Sequence, residues 1–166
     1  MQEMAILASL GALMFCSKLV MELLPNIHLL GMFTILFTVI FRAKALIPIY
    51  ICVGLTFLYA GFTPYLSPYI YVWLLLWGVA MLLPRRAPRP LLAVLYPLLC
   101  SLHGFLFGIL CAPLHALSFG MNFDATVTFV LYGLPFDVMH GVGNFVAGLL
   151  VLPLSELLRK VLKIKE

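Results

Sequence analysis

The stretch Pro84-Arg85-Arg86-Ala87-Pro88-Arg89-Pro90 separates two long apolar runs with three prolines and three arginines, and it sets how the rest of the chain divides. Proline removes a backbone donor and blocks a continuing helix, so the runs on either side are separate elements. Two more basic patches stand at the feet of apolar runs: Arg42 with Lys44, and Arg159, Lys160, Lys163 and Lys165. Nine of the ten Lys and Arg residues fall in these three patches, while the loops around 24–28, 62–68 and 119–124 carry none. In a membrane protein such a bias marks the cytoplasmic side.

Composition names the solvent. Of 166 residues, 64% are hydrophobic and 10% are charged, whereas a soluble domain carries about 25% charged residues. Runs this long and this poor in charge belong in lipid, where a backbone must satisfy its hydrogen bonds within each segment. The formal charge of +4 sits at helix ends, where it orients the chain and meets anionic headgroups, and this argues against nucleic acid as a partner. Cys16, Cys52, Cys100 and Cys111 lie inside apolar runs without CxxC spacing, so they read as small hydrophobes and not as disulfide or zinc ligands. The first apolar run has no basic residue before it and reads as a retained helix, not a cleaved signal.

Six spans follow, in an all-α membrane protein with a single domain over 1–166. They run from about Met4 to Leu24, His28 to Phe41, Ala45 to Gly61, Tyr69 to Leu83, Leu91 to Phe119 with a break expected near Pro113, and from an Asp124 N-cap to Leu162 with kinks expected at Pro135 and Pro153. Alternating them places both termini and the three basic patches in the cytoplasm. The second span is shorter than the ~20 residues of a perpendicular crossing, which predicts soft boundaries or a locally thin bilayer.

The polar residues inside these runs are the candidates for chemistry. Asp137, His140, Gly141, Asn144 and Gly148 share one helical face. An Asp at mid-membrane costs about 2.5–3.5 kcal/mol, so this stripe faces the bundle interior, either as ligand donors and acceptors or as an interhelical network with glycines for close packing. Lys18 and Glu22 are four apart in the first span and read as a pair beside an outward cavity or as a snorkelling pair at the interface. Tyr65, Tyr69, Trp73 and Trp77 recur every four residues. Tyr69 and Trp73 would stack on a planar ring, or the set forms an interfacial belt, the better reading for Trp77. Asn26, His28, His115 and Asn122 lie at outer loop edges, and His103 lies deeper. No two histidines have metal-ligand helical spacing, so no metal site is expected. Ala8 and Ala12, with Gly11 between them, make a small-residue patch that admits a close helix, from this chain or from a partner.

There is no GxxxxGK[ST] loop, HExxH or GxSxG, so neither ATP hydrolysis in the Walker manner nor a recognised hydrolytic site is encoded, and the chain is not read as an enzyme. Six helices in this length, both termini inside, and the phrases Gly11-Ala-Leu-Met-Phe-Cys-Ser-Lys18, Leu24-Pro-Asn-Ile-His28 and Leu134-Pro-Phe-Asp-Val-Met-His-Gly141 resemble the substrate-binding S component of energy-coupling factor (ECF) vitamin transporters, over essentially the whole chain. The resemblance implies capture of a vitamin or related heterocycle at the outer face of a bacterial plasma membrane, with no cofactor. It also implies a T component docked on Ala8, Gly11 and Ala12, two cytoplasmic ATPases driving uptake, and substrate held beneath the loops at 23–28, 61–68 and 116–124. The polar sets read above lie on or below these loops, and the expected contacts are Lys18, Glu22, Asn26, His28, Tyr65, Tyr69, Trp73, His115, Asn122, Asp137, His140 and Asn144. A stand-alone proton-coupled transporter using Asp137 and His140 is the alternative. The residues do not name the substrate.

Overall fold

A computed structural model describes residues 2–24, 27–84 and 87–163. Asn26, Arg85, Arg86 and Lys165, all singled out above, lie outside the described residues. Those described form helices and connecting turns, with no strand among them: α1 (Gln2–Met21), α2 (Leu30–Phe41), α3 (Leu46–Ala60), α4 (Tyr69–Met81), α5 (Arg89–Phe105), α6 (Phe107–Phe119), α7 (Phe123–Gly148) and α8 (Val151–Val161). Four stretches are long and apolar enough to cross a membrane: Gln2–Met21, Leu30–Ala60, Arg89–Phe119 and Phe123–Gly148; Tyr69–Met81 is apolar but shorter. Their outward faces are apolar, as at Leu13, Leu98, Leu102, Leu131, Val138 and Val146. Only a bilayer solvates such a surface, so this is the architecture of a membrane-embedded protein.

Side-chain contacts set the directions of the helices. Lys44 pairs with Glu3 at 2.6 Å, and the Phe15 and Tyr59 rings lie 6.0 Å apart, so α1 and α3 run the same way. The His28 ring is 5.8 Å from Trp73, while Trp77 Nε1 donates to the Arg42 carbonyl at 3.1 Å, so α2 and α4 also run together. Arg42, just before α3, donates to the Met81 carbonyl at the end of α4, while the Tyr50 hydroxyl donates to the Ile70 carbonyl near its start at 2.8 Å, so α3 runs against α4. The chain therefore doubles back after α2, through a 3-10 turn at Arg42–Ala45 whose first residue has φ 55°. Arg42 holds this turn by donating to the Met81 carbonyl. Arg89 pairs with Glu156 at 2.9 Å, and Gly104 abuts Gly141, so the α5–α6 rod opposes α7–α8.

The short second helix has a structural explanation. Ten of its twelve residues are buried, with only Val39 and Phe41 partly exposed, because the other helices enclose it. A helix apolar on every face is a core helix. Surrounded by protein, it does not have to match the thickness of the bilayer.

Glycines govern the closest approaches. A Cβ on Gly11 would lie 2.8 Å from Ile51 Cβ and 2.9 Å from the Pro48 carbonyl, so Gly11 turns inward against α3. On Gly104 a Cβ would meet Gly141 Cα at 2.8 Å, and on Gly148 it would meet Pro97 Cα at 2.6 Å. Ser101 Oγ donates to the Gly141 carbonyl at 2.9 Å across the same seam. Small residues let α5 and α7 pack backbone to backbone, the geometry favoured where lipid gives no hydrophobic drive.

Three boundaries differ from the sequence reading. The fifth run breaks at Leu106, not Pro113; Pro97 and Pro113 stay within helices. There Gly104 is pinned on Gly141 and the Phe105 ring covers Gly141, so the chain changes course at the contact and not at the proline. Asn122, not Asp124, caps α7: its side chain accepts from Ala125 N at 2.9 Å. The last run divides after Gly148; Pro135 remains within α7, and Pro153 falls in the first turn of α8, where a missing N–H costs nothing.

Candidate functional site

A cavity of about 650 Å³ opens where the first half of α7 stands off from α6. It occupies the end of the bundle away from Lys44, Arg89 and Arg159, whose partners are Glu3, Glu156 and the Val39 carbonyl. Its volume lies in the range of small-molecule sites, roughly 300–1,000 Å³. One wall is a stripe of α7: Ala125, Thr128, Phe129, Tyr132, Gly133 and Phe136, leading down to Asp137 and His140. These positions advance by steps of three and one, the i, i+3, i+4, i+7 pattern, so a single face of one helix presents them all. The opposite wall is Phe107, Gly108, Cys111 and His115 of α6, with Tyr65, Tyr69 and His28 completing the lining.

The floor is an aromatic cluster. The His28 and His140 ring centroids are 4.5 Å apart, and those of Phe107 and His140 are 4.7 Å apart, each pair meeting edge to face. Trp73, 1% exposed, stands behind, edge-on to His28 and to Tyr69 at 5.8 and 5.5 Å. At the mouth Tyr65 stacks on His115 with 5.6 Å between centroids, and His115 Nε2 lies 3.0 Å from the Tyr65 carbonyl. That contact ties the turn before α4 to α6. Phe129 meets His115 edge-on at 5.3 Å from across the cavity.

Asp137 supplies the carboxyl group of this lining. Its Oδ1 accepts the Gly108 backbone N–H at 3.0 Å, while Oδ2 is buried without a hydrogen-bond partner. His140 Nε2 and His28 Nδ1 are likewise buried and unpartnered. Buried polar groups are nearly always satisfied, and four unsatisfied ones around one cavity, these three and His115 Nδ1, mark it as built for a polar occupant. Among the described residues no lysine or arginine lines it, and no three His, Cys, Asp or Glu side chains converge as a metal ion would require.

The structure brings together His28, Tyr65, Tyr69, His115, Asp137 and His140 from the sequence-derived set. It places the others elsewhere. Trp73 backs the cavity without lining it, and Asn144, 1% exposed, lies deeper against Gly31 with both amide atoms unpartnered. Asn122 spends its side chain on the helix cap. Lys18 and Glu22 bind each other at 2.7 Å and do not line the cavity, although their charges act on the lining residues His28 and Tyr69. In the small-residue patch Ala8 and Ala12 are exposed, while Gly11 is buried and serves the α1–α3 contact. The residues that sequence reading missed are Phe107, Gly108 and Cys111 of α6 and the stripe from Ala125 to Phe136. Extending the Asp137 face backwards by threes and fours would have found the α7 set; nothing local distinguishes Phe107 from the apolar residues around it.

Comparison with protein-family models, with curated proteins and with solved structures yields no significant match.

Proposed function

We propose that this chain is the substrate-binding subunit of an ECF-type transporter in a bacterial cell membrane. It captures a vitamin-like heterocycle at the outer face and passes it inward with a T component and two cytoplasmic ATPases. The observation that carries this reading is the cavity itself: about 650 Å³, aromatic and histidine-lined, with a single carboxyl group, at the end of the bundle opposite the basic patches. The reading takes the alternating helices as six spans, with the basic ends and both termini inside. No ATP-binding loop is present in the sequence, so the energy for uptake comes from an ion gradient or another subunit, and this reading assigns it to the ATPases. The exposed Ala8 and Ala12 offer a flat helix face to the T component.

The test has two arms. The chain purified alone in detergent is expected to retain a small molecule, identifiable by mass spectrometry, with nanomolar-range affinity that Asp137→Ala removes while helicity stays intact. Ala8→Trp is expected to keep that binding and abolish ATP-driven uptake in the assembled transporter. Uptake into proteoliposomes by the chain alone, driven by a proton gradient, would replace this reading with that of a secondary transporter.

A further inference from the structure

We infer that the cavity selects a planar, amino-substituted nitrogen heterocycle, neutral or cationic, without a phosphate or carboxylate group; this rests on reading the cavity as the substrate site. Asp137 is 6% exposed, with Oδ1 held by the Gly108 N–H and Oδ2 left without a donor. A buried carboxyl oxygen in that state needs a hydrogen-bond donor, and an exocyclic amino group or ring N–H supplies one. One helical turn further on, His140 Nε2 faces the same floor unpartnered. A neutral imidazole nitrogen donates or accepts according to its tautomer, so Asp137 and His140 together offer two-point recognition of a heterocycle edge.

The remaining walls fix shape and charge. Phe107 stands edge to face with both Tyr69 and His28, its centroid 6.4 Å from each, and these aromatic walls favour a flat ring as occupant. An anionic group would meet the Asp137 carboxyl with no lysine or arginine among the described lining residues to offset it. Lys18, the one cation embedded in the first apolar run, lies near enough for its charge to act on the His28 ring, but it is paired with Glu22 at 2.7 Å and does not line the cavity.

The experiment measures binding to the detergent-purified chain by calorimetry, with four probes: 2,4-diaminopyrimidine, cytosine, orotate and cytidine 5′-monophosphate. Both amino-bearing bases are expected to bind, and Asp137→Asn to weaken them roughly tenfold or more, the usual scale for losing a hydrogen bond to a charged group. Orotate and cytidine 5′-monophosphate are expected to bind at least as much more weakly than the bases. The inference is overturned if either anionic probe binds as well as the bases, if neither base binds, or if Asp137→Asn leaves their affinity unchanged. Gly133→Phe separates this failure from failure of the cavity reading, because Gly133 lines the cavity and a Cβ there meets nothing within 4 Å. Anionic probes that bind and are lost in Gly133→Phe would leave the cavity as the site and overturn only the ligand class. Binding that is indifferent to Gly133→Phe would overturn both.

Discussion

Gly108 and Asp137 hold each other across the α6–α7 seam: the glycine N–H donates to Oδ1 at 3.0 Å, and a Cβ on the glycine would lie only 2.4 Å from Oδ2. The absence of a side chain at 108 is therefore what lets the carboxyl group sit where it does. Gly108→Ala is expected to push the carboxyl group aside. The displaced atoms are the tip of one side chain, so unfolding temperature should change little while ligand affinity falls roughly tenfold, the scale of a lost charged hydrogen bond. Calorimetry beside thermal unfolding checks this; a large drop in stability with affinity intact would contradict it.

The α5–α7 seam predicts the opposite balance. Gly104→Ala brings a methyl group to 2.8 Å from Gly141 Cα, backbone against backbone, where neither side can yield. Overpacking of this kind costs about 1–3 kcal/mol. Gly54, whose Cβ would meet nothing within 4 Å, is the matched control. Thermal unfolding in detergent should show a clear loss for Gly104→Ala and none for Gly54→Ala.

Asn122 separates capping from ligand binding. Its side chain accepts from Ala125 N, so Asn122→Ala is expected to cost about 1 kcal/mol of stability, the usual value of a lost N-cap. Ligand affinity should stay within error. A selective loss of affinity would return Asn122 to the binding site.

The alternating helix directions make a topological prediction. In intact cells a membrane-impermeant maleimide should label Phe62→Cys, on the loop after α3, and spare Ala43→Cys, in the turn after α2, until the membrane is permeabilised. Equal labelling of the two would rule out six alternating spans.

Much of the site is legible in one helix. Asp137, His140 and Asn144 share a periodic face, and the cost of a carboxyl group in lipid is enough to turn that face inward; all three are buried, Asp137 and His140 in the cavity and Asn144 deeper than it. Tyr69 and His28 follow from aromatic spacing and loop position. Trp73 and Lys18 show the limit. Each sits at a suitable helical position, yet the first is closed off behind Tyr69 and His28 and the second is bound to Glu22. Sequence spacing reports which side of a helix a residue occupies, not what stands in front of it.

Hydropathy, charge placement and a 3.6-residue period are properties of local chain, so the solvent, the helical class and the polar face of the longest helix follow from residue order alone. Packing between elements settles the rest: that α2 is enclosed by protein, that the fifth run breaks at Leu106, and that Phe107 and Gly108 meet the α7 residues His140 and Asp137. The Gly108–Asp137 contact joins residues 29 apart in the chain, through glycines that pin α5 to α7 and leave α6 and the first half of α7 parted. A cavity is the space between elements, and spacing within any one of them carries no record of it.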